Sequence, residues 1–150
     1  QAGATGLYAT AKVSDVQCNT AEYIMRAVGI ALWVDSEQQM DIVTAISGSG
    51  PAYFFLFMEA LQAAGETLGL TPETARLLTL QTAFGATKMA LGSDEDCATL
   101  RQRVTSPGGT TEQALNAFES GDLRRLVQQA VDAAARRSQE LAHLLGEEKQ

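Results

Sequence analysis

Six consecutive residues, Tyr53-Phe54-Phe55-Leu56-Phe57-Met58, leave a helix with no polar side. At 3.6 residues per turn they pass more than once round the axis, so such a helix needs burial against more than one neighbouring surface. Helices exchanged with a second copy of the chain would supply those surfaces. A membrane would not, because the apolar run over residues 50–58 ends at Glu59, well short of the roughly 20 residues a span needs.

The rest of the composition narrows the partners. Eleven Lys and Arg against eighteen Asp and Glu leave a net charge of -7, which offers neither nucleic acid nor an anionic membrane an attractive footprint. Cys18 and Cys97 lie far apart in unlike contexts, so reduced thiols and a cytoplasmic address are expected rather than a disulfide framework. The lone histidine, His143, has no second ligand at short spacing, and no metal site is expected.

Along the chain, residues 3–11 read as a short strand. Asp15 reads as the cap of a helix over 16–28 that Gly29 stops, and Ile30 to Val34 read as a second strand. One β-α-β unit cannot shield both of its faces, so its sheet partners are expected outside this chain, which begins without methionine as a cut piece would. Residues 35–39 read as a polar connector. From Asp41 the signals turn helical: a turn or two over 41–46, a small-residue break at Ser47-Gly48-Ser49-Gly50, and a helix over 51–68. Thr71-Pro72-Glu73 starts a helix to Leu91 with Ala75, Leu78, Thr82, Gly85 and Met89 inward and Gly92 as its stop. Ser93 reads as the cap of a helix through Val104 with Asp94, Glu95 and Asp96 in its first turn. After the loop 105–111, a helix breaks at Gly121 and a last one runs over 122–145. Its stripe is Leu123, Leu126, Val127, Ala130, Val131, Ala134, Leu141 and Leu144. The fold class is therefore mainly α, with residues 1–35 as a terminal β-α-β portion and 36–150 as a helical domain.

Two small-residue segments bear on chemistry. Thr105-Ser106-Pro107-Gly108-Gly109-Thr110-Thr111 sets a proline, two glycines and hydroxyls just ahead of a helix, with Thr110 and Gln113 placed as a capping box. Backbone N–H groups at such a terminus suit a carboxylate or phosphate, and Ser106 and Thr111 can add hydroxyl bonds. An ordinary capped loop explains part of the same pattern, and the residues alone do not choose between the two. Ser47-Gly48-Ser49-Gly50-Pro51, with Thr44 upstream, reads either as a close approach of backbone to ligand or as a tight helix junction.

The strings Thr44-Ala45-Ile46-Ser47-Gly48-Ser49-Gly50-Pro51-Ala52-Tyr53 and Val104-Thr105-Ser106-Pro107-Gly108-Gly109-Thr110-Thr111 resemble pyrroline-5-carboxylate reductase. The resemblance continues in order through Leu68-Gly69-Leu70, Gly85-Ala86-Thr87-Lys88-Met89 and Glu119-Ser120-Gly121. It implies reduction of 1-pyrroline-5-carboxylate to L-proline with NADPH or NADH, the last step of proline biosynthesis, by a parent whose Rossmann-type domain is largely missing here. Residues 1–35 are then the end of that truncated dinucleotide-binding domain. It also implies a C-terminal helical domain that interlocks as a homodimer and can build larger rings. By position, the resemblance gives the substrate carboxylate to Ser106, Gly109, Thr110 and Thr111, with the Thr111 hydroxyl at the ring nitrogen as the catalytic group. Thr44 and the turn of Ser47, Gly48, Ser49 and Gly50 face the nicotinamide end of the cofactor or the substrate ring in the same reading. The isolated chain is then expected to be inactive, and a non-catalytic helical dimerisation module is the alternative description of it. Hydroxy-acid reductases of similar plan pair a catalytic lysine with an asparagine four residues on, whereas Lys88 is followed at that spacing by Gly92.

Overall fold

The structure, a computed structural model, describes residues 2–147. Two strands, β1 (Gly3–Leu7) and β2 (Gly29–Trp33), flank helix α1 (Asp15–Arg26). Helices α2 (Glu37–Val43), α3 (Gly50–Thr67), α4 (Pro72–Leu91), α5 (Cys97–Arg103), α6 (Thr110–Ser120) and α7 (Leu123–Glu147) follow, with a π turn over Thr44–Gly48 between α2 and α3. The fold is mainly helical with one β-α-β unit, the class that the sequence implies.

β1 and β2 pair in parallel from Gly3 opposite Gly29 to Leu7 opposite Trp33. The strands approach so closely at that end that a Cβ on Gly29 would overlap the Gly3 carbonyl. Helix α1 starts one residue earlier than expected: Ser14, not Asp15, is its cap, in a reciprocal box with Gln17. It also ends before the glycine meant to stop it. Ala27 N–H donates to the Ile24 carbonyl at 3.2 Å and Val28 N–H to Met25 at 3.1 Å, so three-residue bonds close the helix and release Gly29 to the strand. Glu22, facing outward on α1, accepts the Trp33 indole N–H at 2.7 Å and the Arg26 guanidinium at 2.7 Å, tying helix to strand.

The expected connector over 35–39 is instead the start of α2. Ser36 caps it, accepting from the Gln39 N–H, while the Gln39 side chain accepts from the Asp35 N–H at 2.7 Å. The Ser-x-x-Gln spacing carried that signal. The expected break after Ile46 is a widened turn rather than a gap: Ser49 N–H donates to the Thr44 carbonyl at 2.8 Å, five residues back. Gly6 lets this segment lie on the sheet, since a Cβ there would come within 2.8 Å of Val43.

Helix α4 starts where its sequence signal put it, with the Thr71 hydroxyl accepting from the Thr74 N–H at 3.2 Å and Pro72 in the first turn. Its inner face differs from the expected one. Ala75 and Thr79 are buried, whereas Leu78 and Met89 are 55% and 56% exposed and Thr82 is exposed. Gly65 of α3 comes close to the start of α4, where a Cβ on it would sit 3.4 Å from both the Ala75 methyl and Leu70, while Leu78 and Thr82 line the open hollow beside them. α5 also begins later than expected. Asp96, not Ser93, caps it by accepting from the Thr99 N–H at 2.7 Å, and Ser93 instead accepts from Glu95 N–H within the preceding turn. α7 starts after Asp122, which adopts φ 58 and so stands outside the helix.

The described parts of Gln1–Pro51 and Val127–Gln150 form one compact unit and Ala52–Leu126 a second. Among the described residues neither has a core of large side chains: the buried apolar residues are Ala31, Ala45 and Ala75. Phe54, Phe55 and Leu56 are each about two-thirds exposed, and the α7 stripe is open at Leu126, Val127, Leu141 and Leu144. The chain exposes 11807 Å², whereas two separately compact units sharing its 15.9 kDa would together expose about 8,900 Å². Among the described residues no helix is long and apolar enough to cross a membrane.

The Glu22–Trp33 bond yields a spectroscopic prediction, because Trp33 is the sole tryptophan. The Trp33 hydrogen bond first, and then Arg26, hold the Glu22 carboxyl below its ordinary 4.5. A depressed acid keeps its contribution above 4.5 and loses it as pH falls through the lower folded value. Trp33 emission should therefore change with a midpoint below 4.5, and Glu22→Gln should remove that transition. A midpoint at or above 4.5 would mean that the bond does not govern the indole.

Candidate active site

Segment 105–111 is built around a tight turn. Gly109 N–H donates to the Ser106 carbonyl at 3.0 Å, with Pro107 at the second position and Gly108 at the third, where φ is +71. That combination defines a type II turn, which requires a positive φ at its third residue and favours proline before it. Gly109 cannot carry a side chain without pressing on its neighbour, because its Cβ would lie 3.0 Å from the Ser106 carbonyl oxygen. Upstream, the Thr105 hydroxyl donates to the Arg101 carbonyl at 2.6 Å and anchors the turn to the end of α5.

The expected capping box of Thr110 and Gln113 does not form. Gly109 is the cap of α6 and offers no side chain, so Thr110 is already the first helical residue and Gln113 N–H bonds the Gly109 carbonyl at 3.3 Å. The helix begins one residue early because Gly109 takes the extended conformation of a cap, φ -82 and ψ 173. The acid that does fold back is Glu112, whose carboxylate accepts the Gly108 N–H at 2.8 Å. The sequence reading missed it. A glutamate in the first turn after a glycine pair was the available signal.

Ser106, Gly109, Thr110 and Thr111 therefore share one turn and the first residues of one helix. Ser106, Thr110 and Thr111 are exposed, and their hydroxyls make no hydrogen bond to another described residue. The N–H groups of Thr110, Thr111 and Glu112 head the helix, ahead of any intrahelical carbonyl they could use. Such a set can take a small carboxylate through N–H and O–H donors, with the helix dipole favouring the negative charge. At the other end of α6, Arg124 grips both oxygens of Glu119 at 2.8 to 3.1 Å and holds that carboxyl below its ordinary range.

Thr44, Ser47 and Gly48 lie in the π turn of the other unit, and Ser49 follows as its cap. Thr44 donates its hydroxyl to the Met40 carbonyl at 2.9 Å and Ser47 donates to the Ala4 carbonyl of β1 at 3.3 Å. Both hydroxyl protons are thus spent on the protein, leaving the oxygens as acceptors. Gly48 is exposed, and a Cβ there would meet only the Thr44 methyl at 3.7 Å. Among the described residues no His, Cys, Asp and Glu side chains gather into a set that could hold a metal ion.

The sequence family described as pyrroline-5-carboxylate reductase dimerisation matches residues 37–141, more than two-thirds of the chain. The chain belongs to that family. A pyrroline-5-carboxylate reductase from Pseudomonas aeruginosa is 59% identical over 145 residues, covering 97% of this chain and 53% of its own length. The solved pyrroline-5-carboxylate reductase of Coxiella burnetii overlays with a TM-score of 0.90 at 59% identity, over 93% of this chain and 52% of that one. The Plasmodium falciparum pyrroline carboxylate reductase, solved with NADP bound, gives 0.79 at 36% identity, over 89% and 51%. The chain spans about half the length of these pyrroline-5-carboxylate reductase relatives.

The turn geometry predicts that Gly108→Ala in the full-length protein costs about 1–2 kcal/mol, the penalty of an L side chain at positive φ. Room is not the obstacle, since nothing lies within 4 Å of the added Cβ. Urea unfolding of the variant against wild type measures it, and an unchanged midpoint would rule out the left-handed conformation at this residue.

Proposed function

We propose that this chain is the dimerisation and carboxylate-binding part of an oxidoreductase that reduces 1-pyrroline-5-carboxylate to L-proline with NADPH or NADH, the last step of proline biosynthesis. The observation that carries the reading is the α6 terminus. Its hydroxyls on Ser106, Thr110 and Thr111 and its leading N–H groups converge on one turn without protein partners among the described residues. A five-membered cyclic imine with one carboxylate presents the complementary acceptor, and fixing that carboxylate fixes the ring.

In this reading Ser106, Gly109, Thr110 and Thr111 hold the carboxylate, and the Thr111 hydroxyl stands at the ring nitrogen. The protonated imine carbon is already electrophilic, so a dedicated histidine acid is unnecessary. Reduced nicotinamide, when bound, supplies the hydride to that carbon. The C=N electron pair settles on nitrogen, and Thr111 hydrogen-bonds the amine formed. The residues present do not make a whole dinucleotide site: the β1–α1 connection, residues 8–14, contains no glycine to admit a pyrophosphate. The π turn suits at most the nicotinamide end, where the Thr44 and Ser47 oxygens are acceptors for a carboxamide N–H and Gly48 leaves open space.

The isolated chain is accordingly read as inactive, a helical dimerisation module, while the full-length protein turns over. Exposure of Phe54, Phe55, Leu56 and the α7 stripe favours a homodimer through the helical part, on which larger rings can be built. With Cys18 and Cys97 as free thiols, we assign the protein to the cytoplasm.

Thr111→Ala in the full-length protein should lower kcat/KM for pyrroline-5-carboxylate by about 10- to 100-fold, the scale of one hydrogen bond to a charged group. Unchanged turnover and KM would remove Thr111 from the mechanism. L-Proline titrated calorimetrically into the isolated chain should bind, and Ser106→Ala should abolish the heat. Absence of binding to the chain together with activity of the parent would assign part of the site to residues outside it, and an inactive parent would reject the reductase.

A further inference from the structure

The type II turn over Ser106–Gly109 has a near neighbour in conformational space. Rotating the Pro107–Gly108 peptide plane by about half a turn converts it to type I with the ends of the turn almost unmoved. The closing bond from Gly109 N–H to the Ser106 carbonyl does not distinguish the two, because that bond is made in both. The peptide that flips carries the Gly108 N–H, and this is the group bonded by Glu112 at 2.8 Å. In the flipped turn the Pro107 carbonyl would face the carboxylate instead, oxygen against oxygen. Proline and glycine at the two central positions favour type II, but glycine still tolerates either plane, and the Glu112 bond to the Gly108 N–H adds to that preference.

We propose that Glu112 is the positioning residue of this site. Its carboxylate fixes the Pro107–Gly108 peptide plane and so sets how Ser106, Thr111 and the first N–H groups of α6 are presented to a substrate carboxylate. The role rests on the reading of this turn as the substrate site. Glu112 is half-buried along a hollow between α5 and α6 that Arg101, Thr105 and Glu119 also line, with its oxygen turned back toward the turn. It occupies the Gly108 N–H and leaves those of Thr110 and Thr111 free for a ligand. Its cost is a second negative charge near an anion, and the order it gives the turn through the Gly108 N–H offsets that cost. The helix dipole alone would be served equally by a shorter acid or by one pointing to solvent.

Two substitutions in the full-length enzyme separate the bond from the charge. Glu112→Asp keeps the charge in the first turn of α6 but withdraws the oxygen by one methylene from the Gly108 N–H. Glu112→Gln removes the charge but keeps a carbonyl acceptor within reach. Steady-state reduction of pyrroline-5-carboxylate should show KM raised about tenfold in Glu112→Asp with kcat within about twofold, and KM within about threefold of wild type in Glu112→Gln. KM for the nicotinamide cofactor should not move in either. Amide exchange at Gly108 should be faster in Glu112→Asp than in wild type and unchanged in Glu112→Gln, a readout that survives if activity is lost for another reason. A Glu112→Asp enzyme with wild-type KM and wild-type Gly108 exchange overturns the proposal, as does a Glu112→Gln enzyme as impaired as Glu112→Asp. Ser106→Ala serves as the reference. If it raises KM while both Glu112 variants behave as wild type, the positioning role fails and the site stands. If it too leaves KM unchanged, the reading of the turn as the carboxylate site fails.

Discussion

Uncovered apolar surface is the condition on which the rest of this molecule depends. Among the described residues the buried apolar ones are three alanines, while aromatic and aliphatic side chains along α3, α4 and α7 are exposed. Each buried large side chain contributes about 1.5–3 kcal/mol in a finished fold, and here most of that stabilisation is still to be gained. The helices hold their shape through local devices instead: the Ser14, Ser36, Thr71 and Asp96 caps, the Glu22 clasp on Trp33 and Arg26, and the Arg124–Glu119 fork. Such devices define elements. Packing them to native density requires surfaces from elsewhere, and a second copy of a self-complementary helical domain supplies them in the reading favoured above.

The two segments with chemical potential are organised by opposite means. In the π turn the hydroxyls of Thr44 and Ser47 are consumed by carbonyls of α2 and β1, so the segment is tied to both and offers acceptors. At the start of α6 the hydroxyls of Ser106, Thr110 and Thr111 are spared, and the turn is held by Thr105, Gly109 and Glu112 around them. Donors are kept free where an anion is expected and spent where a neutral ring is.

What the sequence disclosed follows from how local each signal is. The β-α-β unit, the Thr71 start of α4 and the break at Gly121 were legible because strand composition, a Thr-Pro-Glu start and a helix-ending glycine each act over three or four residues. Other caps were read one to three residues away from their true places. Serine and aspartate are interchangeable in that role, and only the register of the helix decides between Ser14 and Asp15 or between Ser93 and Asp96. The π turn could not be foreseen, since a five-residue hydrogen bond uses no residue type of its own and the small residues there equally describe a break. On α4 the periodicity found Ala75 but missed Thr79, which is buried beside it, because a threonine carries no hydrophobic signal of its own. Both candidate segments were singled out from the residues, but the glutamate that accepts the Gly108 N–H was overlooked because it answers a backbone group four residues back.

Gly29 and Gly108 show two different ways in which a position can be closed to variation. At Gly29 the obstacle is room: the strand across the pair occupies the volume of a methyl group, so drift at this residue has to be matched by movement of β1. At Gly108 the space is open and the obstacle is handedness, since a mirror-image residue would suit the torsion that an ordinary one resists. Accommodation at the first position is thus a matter of translation and at the second of rotation about a single peptide. A lineage could relax the first gradually, by small shifts of a strand, but the second only in one discrete step.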